Sequence, residues 1–293
     1  MSAPITEPRP TVSFEVFPPK DDGPAVLDGV VDRLCGVGPA YFSVTYGAGG
    51  STRDRTRATV DRLQARTGLP IAHHLTCVEA TRAEIDAQAH DLWQAGIRKI
   101  VALRGDPQGG KPYAPPVDGY AYAGDLVEGL MRVADFDLAV AAYPEVHPQA
   151  ASAAADMDAL KRKVDAGARS AITQYAFDTD AILRFVDNAR AAGITVPIIP
   201  GIMPVGNLKG LIRFSERCGA HVPDWLVSMF AGLDDDPSTR AMVATAVATE
   251  QCRRLMEAGL TEFHFYTLNR AEISVAVCRA LGLADHGGTR QAA

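Results

Sequence analysis

Glu15 is the residue whose type and surroundings most clearly suggest chemistry. It lies between Phe14 and Val16, in a run whose aromatic and β-branched side chains favour a buried strand. A carboxylate in such surroundings is poorly solvated, so we expect burial to raise the pKa of Glu15. A carboxylic acid that is still protonated near neutral pH can act as a general acid. The sequence leaves open another interpretation, a structural ion pair with an interior Arg or Lys.

Polar side chains recur at the carboxyl ends of short apolar runs along the whole chain. Seven runs share this property, and their polar ends are Glu15; Thr45 and Tyr46; His74; Arg104, Gly105 and Asp106; Tyr143, Glu145 and His147; Thr173, Gln174 and Tyr175; and Asn269 with Arg270. A polar side chain in a strand that is covered on both faces needs a reason, and in a barrel enzyme the reason is usually catalysis. The pattern therefore predicts one active site, built where parallel strands end.

The cluster of His73, His74 and Cys77 raises the question of a metal site. Adjacent residues of a strand point to opposite faces, so one histidine at most can line the site. No second pair of ligands with zinc-like spacing follows in the sequence. We therefore predict no metal, with His74 as a hydrogen-bonding residue of the site and His73 packed on the helix side.

The elements that must position these residues alternate from end to end. Strands are predicted near residues 11–17, 40–45, 70–77, 97–103, 137–143, 170–175, 196–202 and 262–268. Between them lie Ala-rich amphipathic stretches, including residues 52–66, 81–95, 152–166, 179–192 and 238–258. Several stretches end at glycine, which closes a helix in the left-handed conformation, namely Gly68, Gly96, Gly167, Gly193 and Gly259.

Eight strand–helix pairs without a long linker favour an α/β fold, a closed (β/α)8 TIM barrel in a single domain. An open doubly wound sheet is the alternative, but it needs a glycine fingerprint after an early strand, and residues 47–52 lack the last glycine of G-x-G-x-x-G. We predict a flexible lead-in at residues 1–10, the catalytic barrel at residues 11–284 and a C-terminal tail at residues 285–293. Residues 105–119, rich in Gly and Pro, are predicted to form a loop after the fourth strand.

Composition narrows the class of protein. With 293 residues, 47% hydrophobic and 22% charged, the chain has the balance of a globular protein with a substantial core. A net charge of −6 argues against a nucleic-acid partner, and no apolar run approaches the ~20 residues that cross a bilayer. The first residues have no apolar signal core, and the five cysteines form no C-x-x-C pair. We expect a cytoplasmic enzyme with reduced thiols and no membrane partner.

Read in order, the strand ends resemble those of bacterial methylenetetrahydrofolate reductases, the FAD-dependent type that consists of the catalytic barrel only. The matching stretches are SFEVFPP at 13–19, SVTYGA at 43–48, HLTC at 74–77, IVALRGD at 100–106, AAYPEVHP at 141–148, KRKVDAGA at 161–168, ITQ at 172–174, IPGI at 199–202 and FHFYTLNRAE at 263–272. Each motif is modest by itself, but their joint order over residues 12–282 is highly specific.

The resemblance implies a (β/α)8 barrel that holds noncovalent FAD at the carboxyl ends of its strands. In that family NADH or NADPH reduces the flavin and leaves, and methylenetetrahydrofolate then takes the hydride to become methyltetrahydrofolate. This ping-pong reaction supplies methyl groups for methionine synthesis. Because family members commonly assemble from several subunits, the resemblance also implies a homo-oligomer. The sequence leaves the choice between NADH and NADPH open.

The same resemblance assigns roles to individual residues. Glu15 is implied as the acid that helps to open the five-membered folate ring, and Asp106 as the aspartate near flavin and pterin. The implied FAD contacts are Thr45, His74, Arg104, Gly105, Asp106, Tyr122, Ala123, Tyr143, His147, Asp156 and Lys163. The implied substrate contacts are Glu15, Gln174, Phe214, Leu268 and Arg270.

Several of these residues also have ordinary structural interpretations. Asp106 after a glycine could cap a loop, Lys163 could be a solvated surface lysine, and Phe214 could be core. Tyr122 could simply pack, as most tyrosines do, and Gln174 could bridge strand backbones.

The chain departs from the family pattern at three places. The loop after Asp106 is longer, with extra residues around 113–120, and a family glutamine and asparagine fall on Gly210 and Ala159. Two functions of other classes stay open. One is a flavin-free barrel transferase of one-carbon units that binds folate or another pterin, and the other is a non-catalytic binding module.

Overall fold

The structure, a computed structural model, describes residues 9–19, 23–47 and 53–283. Its centre is a sheet of nine parallel strands in which each strand is followed by helical structure or, once, by a short break. The strands are β1 (Thr11–Val16), β2 (Tyr41–Val44), β3 (Ile71–Thr76), β4 (Lys99–Leu103), β5 (Asp137–Ala142), β6 (Ser170–Thr173), β7 (Ile198–Ile199), β8 (Gly201–Ile202) and β9 (Glu262–Tyr266).

Helices cover the outside of the sheet. They are α1 (Pro24–Cys35), α2 (Arg53–Thr67), α3 (Arg82–Gln94), α4 (Ala123–Val133), α5 (Ala153–Asp165), α6 (Thr179–Ala191), α7 (Leu208–Cys218), α8 (Asp224–Phe230), α9 (Pro237–Glu257) and α10 (Glu272–Ala280). Single helices follow β1 to β6 and β9, whereas α7, α8 and α9 all lie between β8 and β9.

The sheet closes on itself in chain order. β1 pairs with β2 on one side and with β9 on the other, the series runs on through β6 to β7, and β8 pairs with β9. β7 and β8 are the two halves of one barrel strand, so the nine strands fill eight positions. The prediction of a closed parallel (β/α)8 barrel is confirmed, and the open doubly wound sheet is excluded. Part of the near-fingerprint, residues 48–52, lies outside the described residues.

The seventh barrel strand breaks at Pro200, which has no N–H to donate to a ladder. Gly201 resumes the strand, and its N–H donates to Oγ1 of Thr173 at 2.9 Å. A Cβ at Gly201 would lie 2.2 Å from the carbonyl oxygen of Thr173 and 2.5 Å from the ring of Tyr266. Glycine is therefore required here, because β6 and β9 approach the strand too closely for any side chain.

The core has an outer and an inner part. Outside the sheet, Phe14 packs between Phe42 and Phe265, with ring centroids 6.0 and 5.7 Å away. Inside the barrel, the ring nitrogens of His264 lie 2.7 Å from Oγ of Ser13 and 3.2 Å from Oγ of Ser43. This buried polar group forms the floor on which the site is built.

Most predicted boundaries agree with the structure to within one or two residues. The five glycines expected to end helices all have positive φ, between 63° and 121°. The strand predicted at 196–202 is present but broken at Pro200, and residues 105–119 form the expected loop apart from one short 3-10 turn. Within the described ranges, no helix has the length and hydropathy needed to cross a membrane.

Candidate active site

Three connected cavities open at the carboxyl ends of the strands. The inner cleft, about 260 Å³, lies over the barrel axis and is lined by Glu15, Thr45, His74, Tyr143, Gln174 and their neighbours. The outer cleft, about 730 Å³, extends over β4 and β5 towards α4 and α5. The lateral cleft, about 440 Å³, lies beside α7 and the starts of α9 and α10. The inner cleft shares Tyr143 with the outer cleft and Phe214 with the lateral cleft.

Glu15 points into the inner cleft, where its side chain is 13% exposed. Burial raises the pKa of Glu15 to about 8, so the carboxyl group is mostly protonated at neutral pH. The expected rise in the pKa of Glu15 is present, but its cause differs from the one inferred from the sequence. Phe14 and Val16 belong to the outer core, because successive strand residues point to opposite faces. The cleft walls exclude water from Glu15 instead.

The imidazole of His74 lies beside this carboxyl group. Its Nε2 lies 3.7 Å from Oε2 of Glu15, and burial lowers the pKa of His74 to about 3. An uncharged imidazole beside a protonated carboxyl group forms no ion pair at neutral pH. Among the described residues, no Arg or Lys pairs with Glu15, so the interpretation of Glu15 as half of a structural ion pair is not supported.

Side chains that follow β9 form hydrogen bonds with the backbone at the end of β1, where Glu15 lies. The hydroxyl of Thr267 donates to the carbonyl oxygen of Glu15 at 2.6 Å. The side chain of Asn269 accepts from the N–H of Phe17 at 2.8 Å and donates to its carbonyl oxygen at 3.0 Å. Leu268 and Asn269 have φ of 49° and 55°, a left-handed turn that directs these contacts. These contacts from the residues after β9 thus fix the backbone that carries the Glu15 side chain.

Arg104 lies at the junction of β4 and the outer cleft. Its guanidinium donates to Oε1 of Gln149 at 2.7 Å, lies 3.2 Å from Oδ1 of Asp106 and stacks 4.5 Å from the ring centre of Tyr113. The side chain of Asp106 is 83% exposed and faces the outer cleft. Gly105, with φ of 82°, lets this turn pass close to β3, since a Cβ there would lie 2.7 Å from Thr76.

Lys163 reaches the outer cleft from α5. Its Nζ donates to the carbonyl oxygen of Ala141 at 2.5 Å, and burial lowers its pKa to about 8. The alternative interpretation of Lys163 as a solvated surface lysine is therefore not supported. Asp156 accepts from the N–H of His147 at 2.9 Å, and the His147 ring stands edge-on to Tyr143 at 4.6 Å. These groups line one wall of the outer cleft.

The remaining predicted site residues also lie in the three cavities. Tyr122 and Ala123 line the outer cleft at the start of α4, and Gln174 lines the inner cleft. Leu268 and Phe214 border both the inner and lateral clefts, with the Phe214 ring stacked 6.2 Å from Tyr175. Arg270 lines the lateral cleft.

The positions of the two family departures are equally clear. Ala159 borders the outer cleft, and Gly210 borders the lateral cleft. The Oε1 atom of Gln174 accepts the N–H of Tyr175 at 3.1 Å, so its amide NH2 is directed by a local contact rather than by a bridge between strands.

His73 and His74 separate as the strand geometry requires. His74 lines the inner cleft, whereas His73 is buried beside the ring of Tyr46, 6.0 Å away. Over the ranges 9–19, 23–47 and 53–283, no group of three His, Cys, Asp or Glu side chains could hold a metal ion.

Sequence reasoning missed several residues of the clefts. His264 and Tyr266 line the inner cleft, Gln149 and Tyr113 hold Arg104, and Arg217 lines the lateral cleft. A signal for the first two was present, because alternate residues of β9 point inwards and His264 and Tyr266 are spaced by two. Nothing in the sequence marks Gln149, Tyr113 or Arg217, since contacts between loops and helix faces carry no period.

The closed barrel, the buried acid on β1 and the clefts at the carboxyl ends of the strands have the geometry of a (β/α)8-barrel enzyme. The family follows from comparison with known proteins. Residues 1–282 match the methylenetetrahydrofolate reductase family, and the chain belongs to that family.

Relatives agree with this assignment. The 5,10-methylenetetrahydrofolate reductase of Pectobacterium carotovorum subsp. carotovorum is 51% identical over 94% of this chain and 91% of its own. The Escherichia coli (strain K12) enzyme of that name is 50% identical over 93% of this chain and 90% of its own. An uncharacterised Clostridium thermocellum protein, solved with two copies of 5-methyl-5,6,7,8-tetrahydrofolic acid, is similar in fold with a TM-score of 0.65. Its identity is 16%, over 94% of this chain and 96% of that one, so this likeness concerns the fold alone.

Proposed function

We propose that the chain reduces 5,10-methylenetetrahydrofolate to 5-methyltetrahydrofolate with NADH or NADPH, through bound FAD and in ping-pong order, for methionine synthesis. Membership of the family supports the reaction class. The observation that carries the proposal is Glu15, whose pKa of about 8 keeps a proton available inside the cleft at neutral pH. A carboxyl group in that state has little structural use, since no cation pairs with it among the described residues.

The outer cleft fits a flavin dinucleotide. A diphosphate is stabilised by cations held close to it, and the described part of the barrel contains no dinucleotide-binding glycine loop that would supply main-chain donors. Lys163 supplies such a cation, because it is a partly buried ammonium group that donates to the backbone carbonyl oxygen of Ala141. Arg104 supplies a second cation in the same cleft. We assign the diphosphate to these two residues and the ring system to the wall formed by Tyr143 and His147.

When bound, the flavin would take a hydride from the nicotinamide and pass it to the folate. The protein's own part begins at Glu15. With methylenetetrahydrofolate in the inner cleft, the protonated carboxyl group would deliver its proton to the folate ring nitrogen that leaves the bridging carbon. That proton transfer opens the five-membered ring and leaves a cationic iminium, which is the electrophile. Gln174, which lines the same cleft, offers both a donor and an acceptor to the edge of the pterin.

Asp106 would contribute by charge. A carboxylate at the border of the outer cleft stabilises a cationic iminium nearby and disfavours additional negative charge on the cofactor. Its effect is limited by its exposure and by Arg104 at 3.2 Å. We therefore assign it an electrostatic role and leave the proton transfer to Glu15.

A flavin-free transferase of one-carbon units is the alternative function. It would use the inner cleft and its carboxyl group but would have no need for a second cavity of about 730 Å³ with a buried lysine. The two functions are separated by the purified protein itself. The reductase is yellow with a flavin absorption spectrum, loses that colour with NADH or NADPH under anaerobic conditions and regains it with methylenetetrahydrofolate. A colourless protein that does not bind added FAD would overturn the proposal.

The Glu15→Gln variant tests the central step. We expect it to keep FAD and to oxidise NADH or NADPH, and to lose folate reduction by about 100- to 10,000-fold, the usual contribution of general acid catalysis. Stopped-flow reduction and reoxidation of the flavin measure the two half-reactions separately. Glu145→Gln is the matched control, since Glu145 is a partly buried carboxylate after β5 that accepts the N–H of His221 at 2.9 Å. A loss below tenfold in Glu15→Gln would remove this residue from the mechanism.

A further inference from the structure

The loop between β4 and α4 carries the extra residues by which this chain departs from the family pattern. Its second half is anchored away from the clefts, at the start of α3. The backbone N–H of Arg82 donates to the carbonyl oxygen of Asp118 at 2.8 Å, and Nε of Arg82 donates to that of Gly119 at 3.2 Å. The loop is therefore held in place by hydrogen bonds, although it contains little regular secondary structure.

Tyr120 anchors the end of the same loop between α3 and α4. Its side chain is 2% exposed, and its hydroxyl donates to Oδ1 of Asp86 at 2.7 Å. Gly129 of α4 makes room for the ring, since a Cβ at that position would lie 2.3 Å from it. The chain then leads directly to Tyr122 and Ala123, which line the outer cleft at the start of α4. The anchor thus fixes where the loop meets the cleft.

Tyr113 extends from the first half of the loop towards the end of β4. Its ring centre lies 4.5 Å from the guanidinium carbon of Arg104 and 5.7 Å from the ring centre of Tyr122. Its hydroxyl donates to the carbonyl oxygen of Ala121. Tyr113 itself lies behind Arg104, outside the lining of the outer cleft. One half-buried side chain therefore joins the end of β4 to the start of α4, two segments that border this cleft.

The contacts of Arg104 leave part of its guanidinium edge available to a ligand. Nε donates to the carbonyl oxygen of Gly105 at 3.1 Å, Nη1 donates to Gln149 at 2.7 Å, and Nη2 lies 3.2 Å from Asp106. A guanidinium group has five N–H donors, so those that these contacts do not use can bind a phosphate oxygen. The ring of Tyr113 packs on the planar face, where it competes with no hydrogen bond and fixes the plane of the donors.

We infer that Tyr113 is a positioning residue for cofactor binding, which holds Arg104 and the start of α4 in the arrangement that receives the diphosphate of FAD. The inference rests on the proposed function. An arginine side chain loses conformational freedom when it binds an anion, and holding it in place beforehand lowers that cost. The longer loop thereby has a use, since it brings an aromatic ring behind a cation of the cleft. The proton transfer stays with Glu15.

A purely structural role is the alternative, in which Tyr113 stabilises the loop and nothing more. The two roles make different predictions. A loop that is merely loosened weakens the binding of every flavin alike, whereas a role through Arg104 affects only flavins that carry phosphate.

The test measures the affinity of the apoprotein for FAD and for riboflavin by fluorescence titration at pH 7. Riboflavin has the ring system and ribityl chain of FAD but no phosphate, so it offers Arg104 no anion. We expect Tyr113→Leu to bind FAD about 3- to 30-fold more weakly than the wild type, the range of a cation–π contact, and to bind riboflavin with unchanged affinity. Tyr113→Phe keeps the ring and should retain most of the affinity for FAD.

Tyr120→Phe is the matched control. It removes the hydrogen bond to Asp86 from the same loop and leaves Arg104 untouched. We expect it to lower the midpoint of thermal unfolding, measured by circular dichroism, and to leave the affinity for FAD unchanged.

A double-mutant cycle shows whether Tyr113 acts through Arg104. Arg104→Gln lacks the cation, so Tyr113→Leu should cause no further loss of FAD affinity in that background. Arg104→Lys replaces Arg104→Gln in the cycle if the latter binds FAD too weakly for titration, and the further loss should then be smaller than in the wild type. The cycle decides alone if riboflavin binds too weakly.

Equal losses for FAD and riboflavin in Tyr113→Leu would overturn the inference, as would unchanged affinity for FAD. Equal losses of FAD affinity with and without Arg104 would also overturn it, and so would a loss in Tyr120→Phe as large as that in Tyr113→Leu. These outcomes all leave the reductase function standing. A wild-type protein that binds no FAD would refute the proposed function itself.

Discussion

Burial controls the ionisation of the two most informative side chains of the clefts, in opposite senses. It raises the pKa of the Glu15 carboxyl group to about 8 and lowers that of the Lys163 ammonium to about 8. The first keeps its proton at neutral pH and can donate it. The second is charged at neutral pH but loses its charge in mildly alkaline solution. The same cause therefore prepares an acid in one cleft and a cation that alkaline pH neutralises in the next.

The raised pKa of Glu15 predicts a pH-dependent cost in stability. Between pH 4.5 and about 8 the unfolded chain has released this proton while the folded protein retains it. The folded state then binds more protons, so stability falls as pH rises through this window, by up to about 1.4 kcal/mol per pH unit. Gln cannot ionise, so Glu15→Gln should gain stability relative to the wild type from pH 5.5 to pH 7.5. Urea unfolding at both values measures the difference.

Glu250→Gln is the control for that measurement, because Glu250 is exposed on α9. A difference between wild type and Glu15→Gln that stays constant with pH would show that Glu15 ionises as an ordinary surface carboxylate does.

The lowered pKa of Lys163 predicts how FAD affinity changes with pH. Above pH 8 the free protein loses the ammonium charge, so the affinity of the wild type for FAD should fall between pH 7 and pH 9.5. Lys163→Met should bind FAD about 10- to 100-fold more weakly at pH 7, the cost of a lost charge-assisted hydrogen bond, and should lack the pH dependence. Fluorescence titration of the apoprotein measures both. Lys161→Met is the control, since Lys161 pairs with Asp165 on the surface of α5 at 2.8 Å. Unchanged affinity in Lys163→Met would place the diphosphate elsewhere.

Individual site residues could be predicted from the sequence where they follow or interrupt an apolar strand. Glu15, His74 and Gln174 follow from polar residues at the ends of apolar runs, and all three line the inner cleft. Lys163 did not follow from its own sequence surroundings, which read as a solvated helix face. Its burial depends on how far α5 stands from the carbonyl group of Ala141, a tertiary distance that no local pattern encodes.

At the level of elements, the strands were predicted better than the connections. Strand composition and glycine at helix ends are local signals, and both were sufficient. α8 was not expected, because a helix of seven residues within the long connection between β8 and β9 is too short to show a clear hydrophobic period. The outer and lateral clefts are bounded by such connections and by helix starts, so their shapes could not be derived from the sequence.

The break in the seventh barrel strand predicts an unusual sensitivity at Gly201. Gly201→Ala places a methyl group 2.2 Å from the carbonyl oxygen of Thr173, a backbone atom that cannot easily move. We expect a loss of stability of about 1–3 kcal/mol, as for overpacked cores, measured by urea unfolding. The control is Gly29→Ala in α1, where a Cβ would meet nothing within 4 Å. That change should stabilise the protein by about 0.5–1 kcal/mol through helix propensity. Equal effects of the two substitutions would contradict the close approach of β6 and β9.

On the scale of the whole molecule, closure of the barrel brings distant parts of the sequence together. Ser13 forms a hydrogen bond with His264, and the backbone of Glu15 forms one with Thr267, across sequence separations of 251 and 252 residues. Such contacts follow from the fold class and not from any local segment. The fold class was predictable because the alternation of strands and helices is regular throughout. The cytoplasmic location and the homo-oligomeric state stay predictions.

The single-domain assignment predicts that the ends of the chain are dispensable. The test uses a shortened variant that comprises residues 9–284. It begins at Arg9 because the next residue, Pro10, is buried and should be retained. We expect its midpoint of thermal unfolding to lie within about 3 °C of that of the full chain, which corresponds to roughly 1 kcal/mol. Circular dichroism follows the transition. A larger shift, or a transition that splits in two, would show that the removed ends contribute to the barrel.

The contacts of Thr267 and Asn269 with the end of β1 have a consequence for biosynthesis. On the ribosome, Glu15 is made early and β9 last, so a nascent chain carries an ordinary water-exposed carboxylate for almost the whole of translation. Burial raises the pKa of Glu15 only in the closed barrel, so we expect the raised value to appear when the final strand docks. We therefore expect truncated products and proteolytic fragments without β9 to carry Glu15 as an ordinary ionised carboxylate at neutral pH.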